Sequence, residues 1–234
     1  MTTTLYTTDS YVKEFEATVI SANNTEIVLN QTAFFPAGGG LPCDKGTFIV
    51  NNKTYTVLTT ARKDNNIVHE VDIPGIREGD IVKASLDWQR RYQLMRMHTA
   101  CHVLSAVFVK EAGALITGNQ LDLTQSRVDF NLENFDRHKI NDYIAIANTL
   151  LKTNQEVTVS FMPRAEAEKI PELAKLAIGL KQGIEEIRVV TIGTIDRQAD
   201  GGPHVKNTSE VGTIQLIKCE NKGKANRRVY FTLQ

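Results

Sequence analysis

Residues 87–113 read DWQRRYQLMRMHTACHVLSAVFVKEAG, and this stretch divides the chain into two textures. Asp87 suits an N-cap and Gly113 a C-cap, which predicts a helix from Trp88 to about Ala112. Most of that helix reads as core. His98 and His102 nevertheless stand four residues apart within it, as HTACH. Positions i and i+4 share one helical face with Cβ atoms about 5–6 Å apart. Two imidazoles so placed can reach a single zinc ion at about 2.0–2.1 Å. An HxxxH pair taken alone is more often two unrelated core or surface histidines. Thr99 occupies the position where a zinc protease of the HExxH kind carries its general base, so that chemistry is excluded.

Ahead of the helix the chain reads as strands and turns. FEATVI and EIVLN flank the polar turn SANNT, and GTFIVNNKTYTVLTTA alternates about Asn51-Asn52, a hairpin signal. NIVHEVDI and DIVKASLD follow, separated by PGIREG, while the loop FFPAGGGLPCDKG (34–46) interrupts the strands with three glycines. Short strands with frequent turns suggest a small barrel or sandwich.

Behind the helix, LDLTQSRVDFNL alternates like a strand. DRHKINDYIAIANTLLKTN spaces Ile140, Tyr143, Ile144, Ala147, Leu150 and Leu151 along one helical face. EVTVSFM is a strand, RAEAEKIPELAKLAIG a helix broken by Pro171, and IRVVTIG, GTIQLIKC and RRVYFTL are three further strands. The expected fold class is α+β: a barrel-like β domain over 1–86, then helices packed on an antiparallel sheet over 87–234.

The chain has 234 residues, 41% apolar and 23% charged, with a formal net charge of zero. A polyanionic partner would therefore meet a local basic patch, not a global field. No stretch approaches the roughly 18–20 apolar residues of a membrane span. The start, MTTTLYTTDSYVKEFE, lacks a basic segment followed by an apolar one, so no secretory signal is expected. Cys43, Cys101 and Cys219 are odd in number and widely spaced, which points to a reducing cytoplasm.

Two histidines do not complete a metal site. His69 lies in an alternating strand and His138 at a helix start, and both read as solvent-facing. His204 differs because it closes RQADGGPH, where a Gly-Gly turn lets neighbouring polar side chains project into one space. Asp200, four residues earlier, can supply an oxygen at about 2.0–2.2 Å. Cys101 reads as core.

In combination, DWQRRYQLMRMHTACHVL, FFPAGGGLPCDKG, SRVDF and DGGPHVKNTSEVGTIQLIKCENKGKANRRVYF resemble the AlaX proteins, free-standing relatives of the alanyl-tRNA synthetase editing domain. The resemblance runs from about residue 30 onward. A glycine-rich segment ahead of the histidine helix is similar to the medium-length AlaX type. The resemblance implies a trans-acting hydrolase that cleaves serine, and possibly glycine, from mischarged tRNA(Ala). It implies one zinc ion per chain, held by His98, His102 and His204. The family pattern places cysteine where this chain has Asp200. Either Asp200 ligates through oxygen, or three histidines bind and solvent or substrate takes the fourth place. Thr32 matches a family threonine expected to read the serine hydroxyl. Gly38, Gly39 and Gly40 are expected to approach the acceptor end.

Such an enzyme has a physical rationale. A small apolar pocket rejects an added hydroxyl only about a hundredfold, whereas a site that hydrogen-bonds the hydroxyl discriminates far better. Phosphate contacts need cations. Arg90, Arg91 and Arg96 precede and flank the histidine pair, and Lys218, Lys222, Lys224, Arg227 and Arg228 follow His204. Arg127 and Asp129 are expected to pair as structural support. No membrane or DNA partner is expected. Two rivals remain open: a zinc hydrolase of another small ester or amide, and a non-catalytic tRNA-binding module. The latter would need a closed structural site, usually rich in cysteine, which this chain does not offer.

Overall fold

The computed structural model describes residues 2–63, 66–132, 136–173, 183, 185–223 and 226–234. These residues form two compact units, Met1–Gln93 and Leu94–Gln234.

In the first unit, alternation of buried and exposed side chains creates one apolar face per strand. A two-residue strand β1 (Thr3–Thr4) opens the unit. β2 (Glu14–Asn23) and β3 (Glu26–Leu29) form a hairpin about Asn24, which adopts φ 54°. β4 (Gln31–Thr32) runs parallel to β1. β5 (Gly46–Val50) and β6 (Lys53–Lys63) turn through Asn51 and Asn52 at φ 48° and 64°. Two successive residues of positive φ make the turn whose twist suits paired strands, and asparagine tolerates that region best after glycine. β7 (Asn66–Val71) and β8 (Ile81–Leu86) complete the set.

β2 pairs with both β3 and β8, so the order β2-β3-β7-β6-β5-β8 returns on itself as a closed antiparallel barrel. Of the two expected architectures the chain adopts the barrel. The long strands β2 and β6 each carry a register shift, at Val19/Ser21 and Val57/Thr59, which bends them around the circumference. Val19, Ile27, Leu29, Phe34, Phe48, Val57, Val71 and Val82 fill the interior. Gly46 is obligatory at the β5–β8 contact, because a Cβ there would lie 2.1 Å from the Ser85 carbonyl oxygen.

His69 departs from expectation. It shares the inward face of β7 with Ile67 and Val71 and is fully buried, between the rings of Phe34 and Phe48. Its Nδ1 lies 3.2 Å from the Ile27 carbonyl and its Nε2 2.8 Å from the Thr32 hydroxyl. Burial pushes its pKa down to about 4, so the ring is neutral at neutral pH.

Helix α1 (Trp88–Ala112) begins in the first unit and continues into the second. The Asp87 carboxylate accepts from the Arg90 amide at 3.1 Å, which caps the start, and Gly113 at φ 62° ends the helix. Every residue from Met97 to Phe108 is buried, as expected of a helix surrounded by protein.

In the second unit β9 (Ile116–Gln120) and β10 (Ser126–Phe130) join β14 (Ile214–Asn221) and β15 (Arg227–Leu233) in an antiparallel sheet of order β14-β15-β10-β9. α2 (Arg137–Leu151) buries Ile140, Ile144, Ala147 and Leu151, the stripe read from the sequence. Its Asn148 side chain bonds both the N–H and the C=O of Ile214 at 2.8 Å, tying α2 to the start of β14. Phe108 of α1 stacks on Phe130 of β10 at 4.1 Å and meets Tyr143 of α2 edge-on. A second antiparallel sheet has the order β11 (Val157–Pro163), β12 (Glu186–Ile192), β13 (Asp196–Ala199). A short helix α3 (Arg164–Ala167) follows β11, and residues 174–179 of the expected broken helix lie outside the described residues. The fold is α+β throughout. Among the described residues no helix is long and apolar enough to cross a membrane.

Candidate metal centre

α1 supplies His98 and His102 from successive turns of its buried segment, with ring centroids 4.8 Å apart and planes at 88°. Asp200 and His204 come from the segment that leaves β13. That segment turns sharply because the Asp200 carboxylate accepts from the Gly202 amide at 2.7 Å. The Arg188 guanidinium on β12 also donates to the carbonyls of Asp200 and Gly202, at 2.9 and 3.0 Å. The His204 ring then lies 4.1 Å from that of His98 and 4.5 Å from that of His102.

One ligand atom from each of His98, His102, Asp200 and His204 lies within 4.8 Å of all the others. Asp200 Oδ1 is 3.5 Å from His98 Nε2 and 4.0 Å from His102 Nε2, and Asp200 Oδ2 is 3.2 Å from His204 Nε2. Tetrahedral zinc with bonds of about 2.0–2.1 Å needs donor separations of about 3.3 Å. The His204–Asp200 and His98–Asp200 separations already lie near that value, and the wider pairs, all within 4.8 Å, would close by up to about 1.5 Å around an ion.

The other ring nitrogens are equally well placed. His98 Nδ1 lies 3.2 Å from the Pro203 carbonyl, His204 Nδ1 3.0 Å from the Thr99 hydroxyl, and His102 Nδ1 3.0 Å from the Asp196 carboxylate. Each Nδ1 has a polar partner, and with the ring proton held there each Nε2 lone pair would face the common centre. Metal-binding histidines are oriented in this way.

The protonation states suit a cation as well. Burial pushes the His98 pKa down to about 4 and holds that of His204 well below its usual range. Burial alone would raise the pKa of Asp200, but the adjacent His98, then His204 and His102, hold it well below the carboxylate range. Two imidazoles are thus neutral and the carboxylate is ionised, the states in which each donates a lone pair to a metal. Burial drives the Cys101 thiol up to about 12, so this neighbour stays protonated within the core, as the sequence reading expects.

Curated relatives match this chain over its whole length. The chain is 47% identical to the alanyl-tRNA editing protein AlaX-M of Methanosarcina barkeri, covering 100% of this chain and 99% of the relative. It is 44% identical to that of Saccharolobus solfataricus, covering all of both. The chain belongs to the AlaX family. An alanine–tRNA ligase from Pyrococcus abyssi is 36% identical over 98% of this AlaX chain, which corresponds to 26% of the ligase. Residues 187–230 match the threonyl and alanyl tRNA synthetase second additional domain, and residues 3–90 match the class II (A) tRNA synthetases.

The other expected site residues of the AlaX chain are placed less uniformly. Thr32 is fully buried inside the barrel, its hydroxyl held by His69 and by the Phe34 amide at 3.1 Å, so it is not a solvent-facing strand residue. Gly38, Gly39 and Gly40 form an exposed turn closed by the mutual backbone bonds of Gly38 and Leu41. Arg91 cannot meet a phosphate as placed. It is fully buried in an ion pair with Asp44, and it also donates to the carbonyls of Ser10 and Ala33. Arg227 is buried too, donating to Asn221 and the Gly223 carbonyl. Arg90 and Arg96 are partly buried, with Nε on the carbonyls of Cys43 and of Glu210 and Val211 respectively.

Arg228 grips Asp129 through two bonds, and Arg127 reaches the same carboxylate at 2.9 Å, so the expected Arg127–Asp129 pair forms with a third member. Lys218 and Lys222 are exposed around Glu220. Lys224 lies outside the described residues. His138 is exposed at the start of α2, as expected.

Sequence reading missed Thr99, Arg188, Asp196 and Gln198. The signal for two of them was present. Strand alternation puts Asp196, Gln198 and Asp200 on one face of β13 and its extension, so a polar residue at every second position leads towards the histidine cluster.

Proposed function

We propose that this AlaX-family chain hydrolyses the ester of mischarged tRNA(Ala), seryl-tRNA(Ala) above all, with one zinc ion held by His98, His102, His204 and Asp200. The observation that carries the metal reading is the convergence of three Nε2 atoms whose Nδ1 partners are already engaged. The relatives named as alanyl-tRNA editing proteins over their whole length carry the substrate reading.

Zinc at such a site supplies Lewis acidity for attack on an ester carbonyl. The protein's own part is to hold the donors, exclude bulk water and present the acceptor end. An aminoacyl ester is already activated, so positioning contributes much of the required rate, and no side chain is assigned as general base. Exposed Lys218 and Lys222 follow the metal-binding turn in the chain and supply cations for phosphate contact. Asp200 in place of a thiolate makes the donor set harder without closing zinc out, because three imidazoles remain.

The test is serine release from seryl-tRNA(Ala), run beside alanyl-tRNA(Ala), before and after chelation. The expected result is release of serine, retention of alanine, loss of activity with chelator and recovery with zinc. Equal turnover of both substrates, or activity indifferent to chelation, overturns the proposal. Activity on small esters without tRNA, unaffected by replacing Lys218 and Lys222, would favour the other hydrolase reading.

A further inference from the structure

We propose that Asp196 is a positioning residue that fixes which nitrogen of His102 faces the metal, an inference that rests on the metal centre proposed above. Asp196 sits at the start of β13 with its side chain fully buried, and its Oδ2 lies 3.0 Å from His102 Nδ1. An imidazole carries its neutral proton on one nitrogen or the other, and the partner of Nδ1 decides which. The carboxylate oxygen beside Nδ1 accepts the ring proton there, so Asp196 holds it on Nδ1 and leaves Nε2 bare. That bare Nε2 is the atom 4.0 Å from Asp200 Oδ1, on the side where His98 and His204 also converge.

His98 and His204 are oriented by a backbone carbonyl and a hydroxyl, both neutral. At His102 the Nδ1 partner is instead a carboxylate, a stronger acceptor than a neutral one. The amide of Gln198 lies within 2.8 Å of His102 Nε2 and 2.6 Å of Nδ1. The contacting atom is the Gln198 Nε2, a donor near both ring nitrogens, so it can donate to whichever one is bare and does not itself place the proton. Asp196 does.

Asp196→Asn keeps the size but introduces a donor that turns the Nδ1 preference around, putting the proton on Nε2 where the metal belongs. Zinc affinity, measured by competition with a chromophoric chelator, should fall about 10- to 100-fold. In the His102→Ala background the same replacement should weaken zinc binding no further, because its effect passes through that ring. An unchanged affinity, or an equal further loss in the His102→Ala background, overturns the inference. Should Asp196→Asn fail to fold, nitrogen-15 NMR of the metal-free wild-type chain reads the His102 tautomer directly. Proton on Nδ1 supports the role and proton on Nε2 removes it. A wild-type chain that takes up no zinc overturns the centre and this role together. Wild-type binding matched by Asp196→Asn leaves the centre intact and removes only the role of Asp196.

Discussion

His98→Ala is expected to lower the hydrolysis of seryl-tRNA(Ala) by at least about 10³-fold, equivalent to about 4 kcal/mol of transition-state stabilisation. The size of the effect follows from the geometry. His98 Nε2 is the donor that faces Asp200 Oδ1 at 3.5 Å, and its ring also lies closest to that of His204, at 4.1 Å. With two imidazoles and a carboxylate left, zinc loses both affinity and the fixed direction in which it polarises an ester. The fold should survive. His98 is held in place by a single neutral bond to the Pro203 carbonyl, and alanine suits the middle of α1. Circular dichroism and thermal unfolding close to wild type, alongside lost deacylation, would place the effect in the site. Retained turnover would mean that the imidazole is not part of the reaction centre.

Arg91→Met should destabilise the first unit by about 3–5 kcal/mol, the usual cost of leaving one member of a buried ion pair alone. Arg91 has no solvent exposure, and its Nε lies 3.0 Å from both oxygens of Asp44. Asp44 also accepts from the Phe35 amide at 2.6 Å, so the pair pins the glycine-rich loop and the first turn of α1 to one point of the barrel. With methionine in place, the Asp44 carboxylate stays buried with one backbone donor for company. Urea or thermal unfolding should show the loss. Replacing Asp44 by leucine in the same chain should cost less than the two single changes added together, because no lone charge remains. A variant within about 1 kcal/mol of wild type would contradict the buried placement of Arg91.

How much of this the sequence contains differs from feature to feature. α1 is legible to the residue because its capping signals are local: Asp87 caps Arg90, and Gly113 takes a positive φ. The Asn51-Asn52 hairpin is legible for the same reason. The grouping of His98, His102, Asp200 and His204 is legible through the family resemblance, because HxxxH and the Gly-Gly turn by themselves leave it open. Arg91 is not legible as a core residue, since its partner Asp44 lies 47 positions earlier in a loop and nothing local joins them. His69 is an intermediate case. Position along β7 puts it inward beside Ile67 and Val71, while residue type suggests the surface. Position prevailed because Ile27 and Thr32 satisfy both ring nitrogens. Asp196 and Gln198 share the parity of Asp200, but identifying their partner required the strand to be docked against α1.

The most direct test of the account is the metal content of the purified chain after equilibration with zinc and removal of free ion. The account predicts one zinc ion per wild-type chain and a large loss of bound zinc in His204→Ala, with both proteins folded. A wild-type chain that retains no zinc, or a His204→Ala chain that retains it as tightly as wild type, would contradict the shared centre of the three imidazoles.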